Sequence, residues 1–204
     1  LPIYRQQKIL KRSGVEMSPA SMGRWMPQLG EMCVPLMALM KERLLQSHVI
    51  QGDETPVRQQ REEKGPTRKC YFYSYVGDEA HPYILYDYQQ TRGQVGPEGW
   101  FTHARGDPLY HGHLQCDGYI GYNNLFDPTE PWGMTHVGCW AHARRKFHDA
   151  RLEAPGACCG ALAEIKTLYK IEERVKRLAD PDERHELRQE QSRPIVEAFF
   201  KWCN

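Results

Sequence analysis

The seven cysteines, at positions 33, 70, 116, 139, 158, 159 and 203, include no C-x-x-C pair. An odd set without paired spacing excludes a disulfide framework or a zinc ribbon, so reduced thiols and a cytoplasmic location are the expectation. No apolar run nears the roughly 18 residues that a membrane span needs. No charged leader with an apolar core opens the chain, so neither export nor a membrane partner is expected. Glycine patterns for phosphate or dinucleotide binding, G-x-S-x-G and H-E-x-x-H are all missing, which removes the commonest rival chemistries. Net charge is lacking as well. With 27 basic and 26 acidic residues the sum is +1, so any grip on nucleic acid must come from local basic patches.

What is present is a chain of 204 residues with 40% hydrophobic content, enough for one sizeable core. There is no internal repeat and no low-complexity tract. The start at Leu1 and the close in "VEAFFKWCN" read as internal to a longer chain.

The first part reads helical. "YRQQKILKRSG" ends at Gly14, and "SPASMGRWM" opens with Ser18 as N-cap and Pro19 at the first helical position. A third segment over residues 30–47 carries Leu36, Leu39, Met40 and Leu44 at helical spacing. These helices fit either a helix-turn-helix or a supporting lobe. From residue 48 the texture becomes strand-like, in "HVIQGDETPV", "CYFYSYVG" and "PYILYDY", with the polar "RQQREEKGPTRK" between the first two. "PEGWFTHAR" reads as helix, "HLQCDGYIGY" as a fourth strand, and "THVGCW" as a fifth leading into the helix "AHARRKFHDA". Helices are expected over 161–178 and 182–202, divided at Pro181 with Asp180 as cap. The expected division is a helical segment over 1–47 and an α/β domain with a mixed sheet over 48–204.

Asp53 and Asp117 each end an apolar strand-like run, so both could leave one edge of a sheet, although such acids often only form turns. Glu172 falls among Ile165, Leu168, Tyr169 and Val175 on the apolar stripe of a helix. It is either a metal ligand or a buried acid paired with a core Arg or His. Three converging carboxylates would repel by about 4 kcal/mol per pair at 4 Å with an effective dielectric near 20, and must protonate or hold a cation. Hard oxygen donors favour Mg²⁺ or Mn²⁺. Two such ions about 3.5–4 Å apart suit phosphodiester chemistry. Cys139 and His142 lie three apart beside His136. With no second pair at metal spacing they suit packing or positioning near the acids better than a zinc site. Arg144, Arg145 and Lys146 form a basic cluster suited to phosphates or to a solvated face, with Arg92 and Arg105 as further candidates. Tyr71, Tyr73 and Tyr75 alternate to cover one face of a strand.

The stretches "LPIYRQQKILKRSGVEMSPASMGRWM", "GDETPV", "YILYDYQQTR", "LQCDGYIGYN", "THVGCWAHARRKF", "LYKIEERV" and "LRQEQSRPIV" together resemble the DDE transposases of the insertion sequence 66 family. The resemblance implies a ribonuclease H-like fold, a five-stranded mixed sheet flanked by helices, with a D-D-E triad of Asp53, Asp117 and Glu172. It implies divalent-metal-dependent cleavage and strand transfer of DNA by an assembly of copies on transposon ends. Cys139 and His142 match the family's C-x-x-H feature, a helper of the active site. Gly52 and Cys116 stand where such sequences more often have Ala and Thr. Members usually also carry an N-terminal zinc-binding and DNA-binding portion. The other readings are a nuclease of the same fold that does not join strands, and a non-catalytic DNA-binding remnant of a mobile element.

Overall fold

The computed structural model describes residues 2–60, 65–103 and 106–203. Arg105 and the middle of the connection between the first two strands lie outside the described residues. Two compact units succeed one another along the chain, Leu1–Val137 and Gly138–Asn204.

The first unit opens with α1 (Ile3–Arg12) and α2 (Pro19–Leu44). Between them Gly14 adopts φ +78°, which a side chain would resist. As the sequence predicts, Ser18 caps α2, its hydroxyl accepting the Ser21 N–H at 3.0 Å, and Pro19 follows at the first position. The predicted third segment is not separate: α2 runs on to Leu44 through Pro27 and Pro35. Each proline deprives one carbonyl, at Gly23 and at Glu31, of its helical donor. The side chains from Arg24 to Leu39 are exposed, so water can supply those bonds.

Five strands then build one sheet: β1 (Val49–Gln59), β2 (Arg68–Val76), β3 (Ile84–Gln89), β4 (His113–Cys116) and β5 (Thr135–Gly138). Their order is β3-β2-β1-β4-β5. β1 and β2 are antiparallel, as are β2 and β3, whereas β4 runs parallel to β1. This mixed sheet is the ribonuclease H-like arrangement that the resemblance implies. Two elements are shorter than the sequence predicts. The fourth strand stops at Cys116, because "GYIGY" coils into a 3₁₀ turn (Ile120–Tyr122) and then α4 (Asn123–Phe126). The helix expected over "PEGWFTHAR" is only α3 (Val95–Trp100), since Thr102 already bridges to Pro108.

The alternating tyrosines of β2 do cover one face. Tyr73 and Tyr75 are fully buried and Tyr71 packs against the same cluster, which includes Ile50, Phe101, Leu114 and Tyr122. Tyr75 stacks on Trp100 at 3.8 Å and meets Phe101 edge-on at 5.3 Å. Each such ring contributes about 1.5–3 kcal/mol by leaving water.

The second unit is helical: α5 (Trp140–Asp149), α6 (Pro155–Val175), α7 (Pro181–Leu187) and α8 (Arg193–Cys203). Asp180 caps α7 as expected, accepting the Asp182 N–H at 2.9 Å. The single helix expected over 182–202 is instead α7 and α8 joined by a π-helical turn, Arg188–Ser192. Phe199 of α8 lies against Ala161 and Ile165 of α6, with the rings of Trp140 and Phe147 at 5.4 and 5.7 Å. Among the described residues no helix is long and apolar enough to cross a membrane.

A methyl group on Gly52 would lie 3.4 Å from Leu114 Cδ1 and 3.8 Å from the Tyr122 ring, which is ordinary contact. Because glycine weakens a strand interior by roughly 0.5–1 kcal/mol, Gly52→Ala is expected to raise stability by about 0.5 kcal/mol. Denaturant unfolding would show it, and a loss of stability would mean that the sheet cannot admit the methyl.

Candidate functional site

In the parallel pair Val49, Ile50 and Gln51 of β1 face His113, Leu114 and Gln115 of β4. Asp53 lies two residues beyond the last of these pairs on β1, and Asp117 lies two beyond it on the other side, the first residue after β4. Ile50, Gly52, Leu114 and Cys116 are buried, so the period of two turns Asp53 to the face away from the aromatic core, and Asp117 begins the turn after Cys116. The sequence predicts that Asp53 ends its strand, and here the structure differs. Asp53 is the fifth residue of β1 and pairs with Ser74 of β2. Val57 and its neighbours keep β1 paired with β2 as far as Gln59.

Backbone groups orient both carboxylates. Asp117 Oδ1 accepts the Tyr119 N–H at 3.0 Å and Asp53 Oδ1 accepts the Glu54 N–H at 2.9 Å. The Ser74 hydroxyl donates to the Asp53 carbonyl at 3.2 Å. A side chain on Gly118 would meet nothing within 4 Å, so the approach beside Asp117 is open.

One residue along from Asp53, Glu54 points to the core side and its side chain is only 4% exposed. Arg92 compensates it, with Nε donating to Oε1 at 2.9 Å and Nη2 donating to the same oxygen. The Tyr122 hydroxyl donates to Oε2 at 3.1 Å. Burial, and then the Glu54 charge, push the Tyr122 hydroxyl far above its ordinary range, so it remains a donor. Arg92 also lies 3.6 Å over the Tyr119 ring. Burial opposes its charge, but Glu54 foremost, with Tyr119 and Asp117, outweighs that and raises its pKa. Sequence reasoning passed over Glu54 although the alternation of β1 signals it: Glu54 shares the parity of the buried Ile50 and Gly52.

In the second unit, Glu172 is placed otherwise than the apolar pattern suggests. The buried stripe of α6 is Ile165, Leu168, Ile171 and Val175, while Tyr169 is 38% exposed. Ile171 takes the inward register, and Glu172 borders the stripe with its side chain 36% exposed. Arg188, the first residue of the π turn, grips it in bidentate fashion, Nε to Oε1 at 2.8 Å and Nη2 to Oε2 at 2.9 Å. Arg174 Nη1 donates to Gln191 Oε1 at 2.7 Å beside it. The Arg188 guanidinium holds the Glu172 carboxyl below its ordinary value against partial burial, with help from Lys176.

Cys139 is the N-cap of α5 and its carbonyl accepts the Ala143 N–H at 3.1 Å. His142 stands in the first turn. His136 stacks on Phe126 at 4.5 Å. Arg144 and Arg145 line a cleft together with Lys166 and Lys170, whereas Lys146 is exposed and outside that lining. Among the described residues no three His, Cys, Asp or Glu side chains are grouped as a ready metal site. The carboxylates of Asp53 and Asp117 are hard oxygens, of the kind that fits Mg²⁺ or Mn²⁺ rather than zinc.

The profile of the Transposase IS66 family matches residues 1–204. Among curated proteins, uncharacterized protein y4qI of Sinorhizobium fredii is 32% identical over 98% of this chain and 38% of its own length. Uncharacterized protein y4hP of the same organism is 26% identical over 98% of this chain and 38% of its own length. The chain thus spans well under half of these relatives. Among solved structures, the catalytic core domain of HTLV-2 integrase in complex with magnesium, in its trimeric form, is similar with a TM-score of 0.32 and 16% identity. That likeness covers 58% of this chain and 84% of that one. The simian T-cell lymphotropic virus intasome in complex with a PP2A regulatory subunit gives a TM-score of 0.30 and 11% identity, over 58% of this chain and 48% of that one. These likenesses are partial, and the strand order of the sheet is what defines the fold.

Removing Arg92 would leave Glu54 charged and nearly buried, with the Tyr122 hydroxyl as its remaining side-chain donor among the described residues. Arg92→Ala is expected to cost about 2–3 kcal/mol in urea unfolding, less than a fully buried pair because Arg92 is partly hydrated. Arg92→Lys restores only part, since an ammonium cannot reproduce the fork. For Glu172 the sign follows from its depressed folded pKa. The stabilisation is complete above the ordinary value of 4.5 and is lost as pH falls through the lower folded value. The pair is partly exposed, so Arg188→Gln should cost at most about 1 kcal/mol at neutral pH. A carboxyl NMR titration should show the Glu172 pKa rising toward the ordinary value, and no movement would mean that the clasp is not formed in solution.

Proposed function

The chain belongs to the Transposase IS66 family, and we propose that it is the catalytic portion of a longer DDE transposase, a polynucleotidyl transferase that cleaves DNA strands at the ends of an insertion sequence and joins them to a target. One observation supports this reading: β1, which carries Asp53, pairs in parallel with β4, and Asp117 follows directly on the last residue of β4. With Glu172 they complete the D-D-E set.

Asp53, Asp117 and Glu172 would hold Mg²⁺ or Mn²⁺, as two ions, and the metal supplies charge stabilisation at the attacking and leaving oxygens of a phosphodiester. The rest of the work falls to the protein. The N–H groups of Tyr119 and Glu54 fix one oxygen of each aspartate and so set the directions of the others. Carboxylates brought together on a metal would otherwise repel, and a divalent cation would relieve that repulsion. Arg92 cancels Glu54, so the third acid nearby adds no further repulsion. Arg144, Arg145 and Lys146 supply contacts to phosphates, and Cys139 with His142 at the start of α5 supports the site. On this reading residues 48–204 form the catalytic domain and 1–47 a helical segment before it, whose Leu44 packs into the core beneath the sheet. The cysteines are thiols, in keeping with a cytoplasmic protein that assembles on DNA as a homo-oligomer.

The Arg188 clasp favours a second reading of one residue, in which Glu172 ties α6 to the π turn and is no ligand. Calorimetric titration of the chain with Mn²⁺ separates the two. Asp53→Asn and Asp117→Asn are each expected to weaken the same site, and Glu172→Gln to do so as well if the triad reading holds. Undiminished binding in Glu172→Gln would assign that acid to the clasp, and indifference to all three substitutions would overturn the catalytic reading. In the longer protein Asp117→Asn is expected to abolish both cleavage and joining. Products cleaved but never joined, with the wild-type protein on end-containing DNA, would make it a nuclease.

A further inference from the structure

The facing sides of α5 and α6 enclose a cleft of about 890 Å³ whose walls are cationic. Arg144 and Arg145 come from α5, and Lys166 and Lys170 from α6. The acid in the lining is Glu173. In a chain whose charges otherwise nearly balance, that concentration is local and sits in a concavity, where a low-dielectric wall strengthens its field.

Folding alone gives no reason for it. Lys166 and Lys170 are four apart on one helix, a spacing at which like charges destabilise by a few tenths of a kcal/mol. They also face two arginines of the neighbouring helix. Among the described residues none of the four makes an ion pair, and the lining carboxylate Glu173 is outnumbered by the four cations. An arrangement that costs stability and leaves its charge uncompensated suits an external polyanion. Tyr169 lies in the same lining and is 38% exposed. An aromatic face between cations is what an unpaired base stacks on, and a duplex hides its base faces.

We infer that the cleft between α5 and α6 is a binding site for single-stranded nucleic acid, with Arg144, Arg145, Lys166 and Lys170 on the phosphates and Tyr169 against a base. The inference rests on the reading of the chain as one that processes DNA, and extends it to a site distinct from the aspartates. Lys146 takes no part in this cleft, because one helical step beyond Arg145 turns it off the lining.

Fluorescence anisotropy of the chain with a labelled mixed-sequence single strand and its duplex, in EDTA and over a range of salt, tests this. Without metal the measurement is independent of cleavage. The single strand is expected to bind more tightly than the duplex. Lys166→Ala with Lys170→Ala should weaken it by roughly tenfold and reduce the salt slope by about 0.7 for each lysine removed. Alanine on an exposed helix face preserves the fold. Tyr169→Leu should weaken the single strand by about fivefold or more while leaving the salt slope and duplex binding unchanged. Equal affinity for duplex with no effect of Tyr169→Leu would overturn the single-strand assignment. An unchanged salt slope in the double lysine variant would overturn the site itself. Either result leaves the Mn²⁺ titration of the aspartates standing on its own.

Discussion

The short parallel ladder between β1 and β4 is the constraint from which the site follows. It consists of few residue pairs, yet its offset decides which residue of one strand stands beside which residue of the other. A slip of one residue would turn Asp117 to the opposite face and bring Cys116 outward. The buried side chains on the core side, Ile50 and Leu114 above all, prevent that slip, since either would have to enter water. Placement of the acids is therefore enforced by apolar packing on the other side of the sheet.

The same face logic explains why two adjacent acids in "GDET" have different surroundings. Asp53 is exposed and held by backbone groups, while Glu54 is enclosed and held by Arg92 and Tyr122. A buried carboxylate persists only where its charge is met and its oxygens are bonded. Arg92 meets that need and, lying over Tyr119, reaches toward the loop that carries Asp117. The two aspartates are thus supported by a neighbour that is not itself a candidate ligand.

The helical unit has its own economy of charge. One acid at the edge of an apolar stripe is matched by an arginine from a π turn, a feature that often marks a functional position. On another side four cations face one another beside Glu173, and among the described residues none of them makes an ion pair. The first arrangement is self-satisfied and contributes to folding. The second is satisfied only by something outside the chain.

Much of this was legible in the sequence because it depends on local periodicity. The Ser18 and Asp180 caps, the alternating tyrosines of β2 and the mixed order of strands follow from residue types within a few positions of one another. Family motifs add Asp53, Asp117 and Glu172 as a set. Where the reading fell short, the cause was competition that a one-dimensional pattern does not contain. Val57 pairing with β2 carries β1 past Asp53, Ile171 displaces Glu172 from the inward register, and solvent lets α2 continue through two prolines. The arginine partners of Glu54 and Glu172 are 38 and 16 residues away in sequence. The basic cleft gathers arginines and lysines about two dozen residues apart. Sequence by itself determined the types and order of the main elements and marked candidate acids, because those depend on propensity, spacing and motif. Tertiary structure alone decided which charges meet, because that depends on the register of strands and the facing of helices.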